Sequence, residues 1–167
     1  MKKFCIVLCC ILMLPMLFAC SNKKEELQEP VSFYYCNKDI SYNSDAGVIC
    51  AEVREGAAFH GNVVAFLRSY MLGPRDTNLR NPIPTDVYLV SCELNEDIVC
   101  MEFNAQFADL TGLDLTTACS AILLTIHDYT GAQTLKVSAK DAKIDDKDVF
   151  ELSMDDVILI DTVSNIE

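Results

Sequence analysis

Two histidines, nine cysteines and two acidic clusters hold most of the reactive chemistry in this 167-residue chain. His60 and His127 are its only imidazoles, so they are the side chains that titrate unperturbed near neutral pH and could act as general bases. Neither stands in a recognisable motif, and the chain has no G-x-S-x-G elbow, no H-E-x-x-H pair and no glycine-rich phosphate loop. His60 precedes Gly61 at a helix entry and reads as a turn residue. His127 falls late in a helix and reads as a partly exposed or hydrogen-bonded histidine. Asp145, Asp146, Asp148, Asp155 and Asp156 offer the oxygens calcium prefers, but their spacing fits no EF-hand loop, which leaves a solvated acidic face. The expectation is a protein with no catalytic set, no cofactor and no metal.

Cys20 is the exception. Basic Lys2 and Lys3 precede an apolar run from Phe4 to Phe18, and the tetrad Leu17-Phe18-Ala19-Cys20 closes it. That order is a bacterial export signal. The tetrad resembles the lipobox of bacterial lipoproteins, in which the cysteine thiol is joined to diacylglycerol and becomes the new N-terminus. Phe18 is bulkier than that pattern usually carries. The competing reading is an uncleaved membrane helix, since the run is little shorter than the roughly 20 residues that span a bilayer. Pro15 within the run and the polar residues after Cys20 favour cleavage and lipidation, and two acyl chains suffice for stable anchoring. Residues 1–19 are thus expected to be a signal peptide. Residues 20–30 are expected to be a lipidated cysteine with a polar tether, of which the ten residues after Cys20 reach at most about 33–36 Å. The domain would then sit on the outer, extracytoplasmic face of the cell membrane.

Loss of residues 1–19 removes Lys2 and Lys3 and no acid, taking the net charge from -12 to -14. Such a chain would repel phosphates, which argues against nucleic-acid partners. Residues 31–167 are long enough for one domain with its own core. Beyond Cys20 the cysteines are Cys36, Cys50, Cys92, Cys100 and Cys119, an odd number with no CxxC spacing. An oxidising exterior favours disulfides, yet mostly free, buried thiols are expected.

The elements that must position these groups follow from periodicity. Val31–Cys36 and Val48–Val53 read as strands. Asn62–Leu72 reads as a helix with Val63, Phe66, Leu67, Tyr70 and Met71 on one face, stopped by Gly73-Pro74. Arg75–Pro84 reads as a loop because of Pro82 and Pro84. Asp86–Leu94 and Ile98–Phe103 read as a hairpin. A three-residue turn would place Cys92 opposite Cys100. A two-residue turn instead puts Val90, Cys92 and Leu94 on the face of Val99, Met101 and Phe103, joining apolar to apolar, so a Cys92–Cys100 bond is not expected. Asp114 can cap a second helix running to about Tyr129, with Leu115, Ala118, Cys119, Ile122 and Ile126 buried and Gly131 closing it. Thr134–Ala139 reads as a strand with Leu135 and Val137 inward. The acidic stretch 141–156 leads to an added strand at Val157–Ile160. The expected fold class is α+β: a two-layer sandwich in which a mixed or antiparallel sheet of about four to six strands carries two helices on one face.

Read together, these residues resemble the GerM domain of sporulation and germination lipoproteins. The resemblance covers Phe33 to Ala139, within a domain spanning 31–140, with 141–167 as an acidic extension. It rests on Phe33-Tyr34-Tyr35, on Phe66-Leu67 with Leu72-Gly73-Pro74, and on Ile83-Pro84. It rests also on Met101-Glu102-Phe103-Asn104 where the family carries Val-Asp-Leu-Ser, and on the helix Thr116–Tyr129 leading to Lys136-Val137. The chain has one copy of the pattern, whereas the founding sporulation protein is similar to two in tandem. The resemblance implies a non-enzymatic module akin to ring-building motifs, which pack side by side. Its expected partners are extracytoplasmic membrane proteins or further copies of itself, with the membrane held through the lipid. The alternative is a lipoprotein that binds a cell-wall fragment or small ligand. The chain has no tryptophan, so Tyr34, Tyr35, Tyr42, Phe59 and Phe107 would have to serve as sugar platforms. A hydrolase is a third reading, without a paired base and nucleophile to support it.

Overall fold

The computed structural model describes residues 29–38 and 47–157. The signal segment, Cys20 and the tether to Gln28 lie outside them, as do Tyr42 and residues 158–160 of the run expected as a last strand.

Strand β1 (Pro30–Asn37) pairs antiparallel with β2 (Ile49–Glu55) along its length, from Pro30↔Glu55 to Cys36↔Ile49. A two-residue strand, β3 (Leu79–Arg80), joins β1 on the other side at Cys36 and Asn37. A second sheet has the order β4 (Leu89–Asn95), β5 (Ile98–Phe103), β6 (Thr134–Ala139), β7 (Phe150–Ser153), with β5 and β6 parallel and the outer pairs antiparallel. Helices α1 (Val63–Met71) and α2 (Gly112–Thr130) complete the α+β sandwich. The strand-helix-strand-strand-helix-strand order expected from Val48 onward is present. The strands, however, divide between a three-stranded and a four-stranded sheet instead of forming one.

The division has a physical origin in α2. Every residue from Ala118 to Ile126 is buried, so this helix has no polar face to turn toward water. It packs against β1 of the first sheet and against β6 and β7 of the second, so its burial draws on both sheets. The five residues expected on its buried face are all in the core. Asp114 is not the cap: the helix begins after Thr111, and Asp114 sits in its first turn, where a carboxylate meets the positive end of the helix dipole. Gly131 closes it at φ 82°, a left-handed geometry suited to glycine.

Thr125 is fully buried within this helix, and its hydroxyl carries two bonds. It donates to Ala121 O at 2.8 Å and accepts the Tyr34 backbone N–H at 2.9 Å. Tyr34 N–H points away from β2, toward an edge of β1 that β3 is too short to reach. The helix thus supplies the acceptor that a neighbouring strand would otherwise give.

Three smaller findings refine the sequence reading. Leu79–Arg80 forms a strand inside the expected loop, because Pro82 and Pro84 lie beyond the residues whose N–H groups it needs. The β4–β5 turn has two residues, with Asn95 opposite Ile98 and Glu96 at φ 57°, so Cys92 faces Met101 and Cys100 faces Glu93. Within the acidic stretch 141–156, Phe150–Ser153 forms a strand the sequence reading did not include, with Leu152 buried and paired to Leu135. Asp156 then caps a short 3-10 turn through Ser153.

Two substitutions test this framework. Thr125→Val keeps the shape but removes the acceptor for Tyr34 N–H, and is expected to cost about 1–3 kcal/mol in urea unfolding, with Thr125→Ser retaining most of it. Gly56→Ala is expected to destabilise as well. An added Cβ would collide with the Glu29 carbonyl oxygen and the Val31 side chain, which approach closely because Gly56 N–H donates to Glu29 O.

Candidate interaction surfaces

The residues with catalytic potential are scattered by the fold. His127 sits in the last turn of α2, with Nδ1 2.9 Å from Ala132 O. A carbonyl can only accept, so that nitrogen carries the proton and helps close the helix. His60 is exposed at φ 44° in the turn before α1. Asp145, Asp146 and Asp148 are exposed, and Asp148 pairs with Lys143 at 3.6 Å. Among the described residues no group of three or more His, Cys, Asp or Glu side chains is gathered as a metal site.

The thiols are similarly dispersed. Cys36 and Cys119 are buried, and Cys92 and Cys100 are half-buried free thiols on opposite faces of the second sheet. Burial pushes Cys119 up to about 12 and Cys92 up to about 11, keeping both protonated at neutral pH. Of the aromatic residues offered as sugar platforms, the four among the described residues are engaged within the fold. Tyr35 and Phe107 have no exposed surface, and Phe59 packs edge-on against Phe66. Tyr34 directs its hydroxyl to Asp128 at 2.8 Å, and burial followed by that bond raises it to about 12.

A nearly buried ion pair on β2 has no counterpart in the sequence reading. Arg54, 6% exposed, bonds Glu52 two residues back on the same face of the strand, donates to Gly73 O at 2.8 Å, and lies over the Phe33 ring at 4.7 Å. Glu52 accepts the backbone N–H groups of Arg75 and Asp76, each at 2.8 Å. The pair latches the segment after α1 onto β2. Burial alone would raise the Glu52 carboxyl, but the Asp76 N–H, the Arg54 side chain and the Arg75 N–H together outweigh it and hold it below the ordinary glutamate range. These bonds hold the fold together and leave no site for a ligand.

Two surfaces remain open. One is a cleft of about 480 Å³ where the described chain begins, walled by Pro30, Val31, Val63, Leu94 and Tyr129 with Glu29 and Asp128 at its rim. The Tyr129 hydroxyl, which is buried, has no hydrogen-bond partner among the described residues. The other is the β4 edge of the four-stranded sheet, which has β5 on one side and, among the described residues, no strand on the other. Tyr88, Val90 and Leu94 are 64%, 42% and 38% exposed along it. Among the described residues no helix is long and apolar enough to cross a membrane.

No protein-family model matches the chain, and no curated protein matches it. Solved structures do. The tandem GerMN domains of the sporulation protein GerM from Bacillus subtilis align with a TM-score of 0.52 at 19% identity, covering 68% of this chain and 39% of theirs. The first GerMN domain of that protein aligns with a TM-score of 0.51 at 12% identity, covering 77% of this chain and all of the domain. The chain therefore has the GerMN fold and spans well under half the length of the tandem protein.

The Glu52 latch predicts an acid-sensitive fold. Because its folded pKa is depressed, its stabilisation is complete above the unfolded value near 4.3 and is lost as pH falls through the folded value. Glu52→Gln is expected to lower stability at pH 7 by about 1.5–3 kcal/mol. It should also flatten the loss of stability below pH 5, as read by urea midpoints across pH.

Proposed function

We propose that this chain is a non-enzymatic interaction module, tethered through a lipid on Cys20 to the outer face of the cytoplasmic membrane and contributing to an extracytoplasmic assembly in sporulation or germination. The GerMN fold is the observation that carries the reading, since the GerM structures that share it belong to a sporulation protein. The exposed apolar side chains on an unpaired sheet edge agree with it, because such edges are ready templates for another chain. The tether agrees too. Domains held within a few nanometres of one plane have a raised effective concentration for one another, so modest surfaces suffice.

The test uses the tagged, full-length chain made in sporulating cells and solubilised in detergent. The mature N-terminus is expected to carry a diacylglyceryl thioether by mass spectrometry. The protein is expected to co-purify with extracytoplasmic membrane proteins, and Cys20→Ser to lose both. Muropeptides are expected to leave its melting temperature unchanged; a shift of several degrees would favour the ligand-binding alternative.

A further inference from the structure

Among the described residues β2, β3, β4 and β7 are edge strands, defended unequally, and β3 is only two residues long. Edge β2 carries Glu52, Arg54 and Glu55 within seven residues, and β7 is only four residues long with Glu151 in it. Edge β4 runs seven residues as Leu-Val-Ser-Cys-Glu-Leu-Asn, with no lysine and no proline, and Glu93 as its one charge. Lysine, proline and short length are the usual means of keeping an edge from pairing. A bulge at Val90 is the one such device β4 has.

Backbone direction is set by the hairpin. Asn95 and Ile98 close a two-residue turn as a hydrogen-bonded pair, so Ser91, Glu93 and Asn95 bond toward β5. The N–H and C=O groups of Cys92 and Leu94 therefore point to the open side. We propose that β4 pairs antiparallel with β4 of a second copy of this chain, about a two-fold axis at Cys92, joining two four-stranded sheets into one of eight strands. This proposal names a partner and a contact for the module described above and rests on that reading.

The sequence of β4 suits this register. Cys92 is the midpoint of Leu89–Asn95, so Ser91, Cys92 and Glu93 meet across the axis in regular register, which the bulge at Val90 interrupts further out. Beyond it, the bulged Val90 lies toward the Leu94 end of the second copy's strand, bringing two exposed apolar side chains near one another. Glu93 falls opposite Ser91, so the one charge on each edge does not meet its copy. Shifting the axis one residue to Glu93 would set two carboxylates face to face. Parity agrees as well: an axis at Cys92 brings outward-pointing backbone groups together. A symmetric antiparallel pair is the isologous contact from which two-fold dimers are built. It also sends the two chain starts to opposite ends of the dimer. Both tethers reach one membrane when the two-fold axis stands along the membrane normal.

The experiment is sedimentation of the full-length chain in detergent, together with thiol cross-linking in native membranes by a short bis-maleimide at pH 8.5. The alkaline pH raises the small thiolate fraction of a Cys92 thiol that burial pushes up to about 11, and a long incubation lets it react. Wild type is expected to sediment as a dimer and to yield a cross-linked dimer that survives Cys100→Ser and disappears in Cys92→Ser. Val90→Lys and Leu94→Lys are expected to weaken dimerisation at least tenfold while leaving the melting temperature within a few degrees. Salt is expected to strengthen the dimer, because each copy is strongly negative. A monomer at all concentrations, a cross-link that depends on Cys100 instead, or a Cys92 adduct with a different protein would each overturn the proposal. If the wild-type chain still co-purifies with extracytoplasmic partners in those cases, the interaction-module reading stands and only the β4 contact falls.

Discussion

Everything in this domain is arranged around a helix that has almost no side facing water. From Ala118 to Ile126, α2 presents buried residues in every direction, so it must be enclosed and cannot lie on the surface of a sheet. Enclosure on two sides needs two sheets, and the chain provides them by letting β1, β2 and β3 separate from β4 through β7. The cost of enclosing a helix is that nearby backbone can lose its usual partners. Thr125 resolves this for β1 with one hydroxyl that is both donor and acceptor, fixing helix and strand at a single depth and rotation.

The second constraint is electrostatic. Arg54 and Glu52 occupy the face of β2 that looks onto Phe33, Tyr35 and Tyr70, a position where unpaired charges would be strongly destabilising. They are tolerated because each is saturated by the other, by an aromatic face, or by backbone groups of the segment after α1. The result is a clamp that holds the Gly73-Pro74 stop, a match to the family pattern, in a defined place. A strongly acidic chain thus uses one of its few arginines inside the fold, where it organises a loop.

Elements whose residues are strongly periodic were legible from sequence. β6 was bounded to the residue, Gly131 and Gly73 mark real helix ends, and the two-residue hairpin turn followed from matching apolar faces. What escaped was decided by tertiary context. On β2 the alternation taken alone turns Ile49, Ala51 and Val53 inward, yet Val53 is half exposed and Arg54 is buried, because guanidinium stacking on rings outweighs hydrophobicity there. β3 is two residues long and has no period to detect. β7 hides in an acidic run, where Phe150 and Leu152 are the only alternation, while the longer apolar run beginning at Val157 carried the stronger signal. The division into two sheets depends on α2 being buried all round, and a moderate apolar stripe does not announce that. The sequence also could not show that His127 is occupied by Ala132 O, because the bond depends on the left-handed turn at Gly131.

The two open surfaces are not equivalent in what they allow. The cleft is bounded by Glu29 and Pro30, the first described residues, which the Gly56 to Glu29 bond holds in place. Only Leu94, at the end of β4, belongs to both surfaces. The centre of the edge, at Ser91 to Glu93, borders the outer face of the sheet beside Cys100, Glu102 and Lys136, away from the point of entry. The middle of β4 therefore stands clear of the point where the described residues begin, whereas the cleft lies against it.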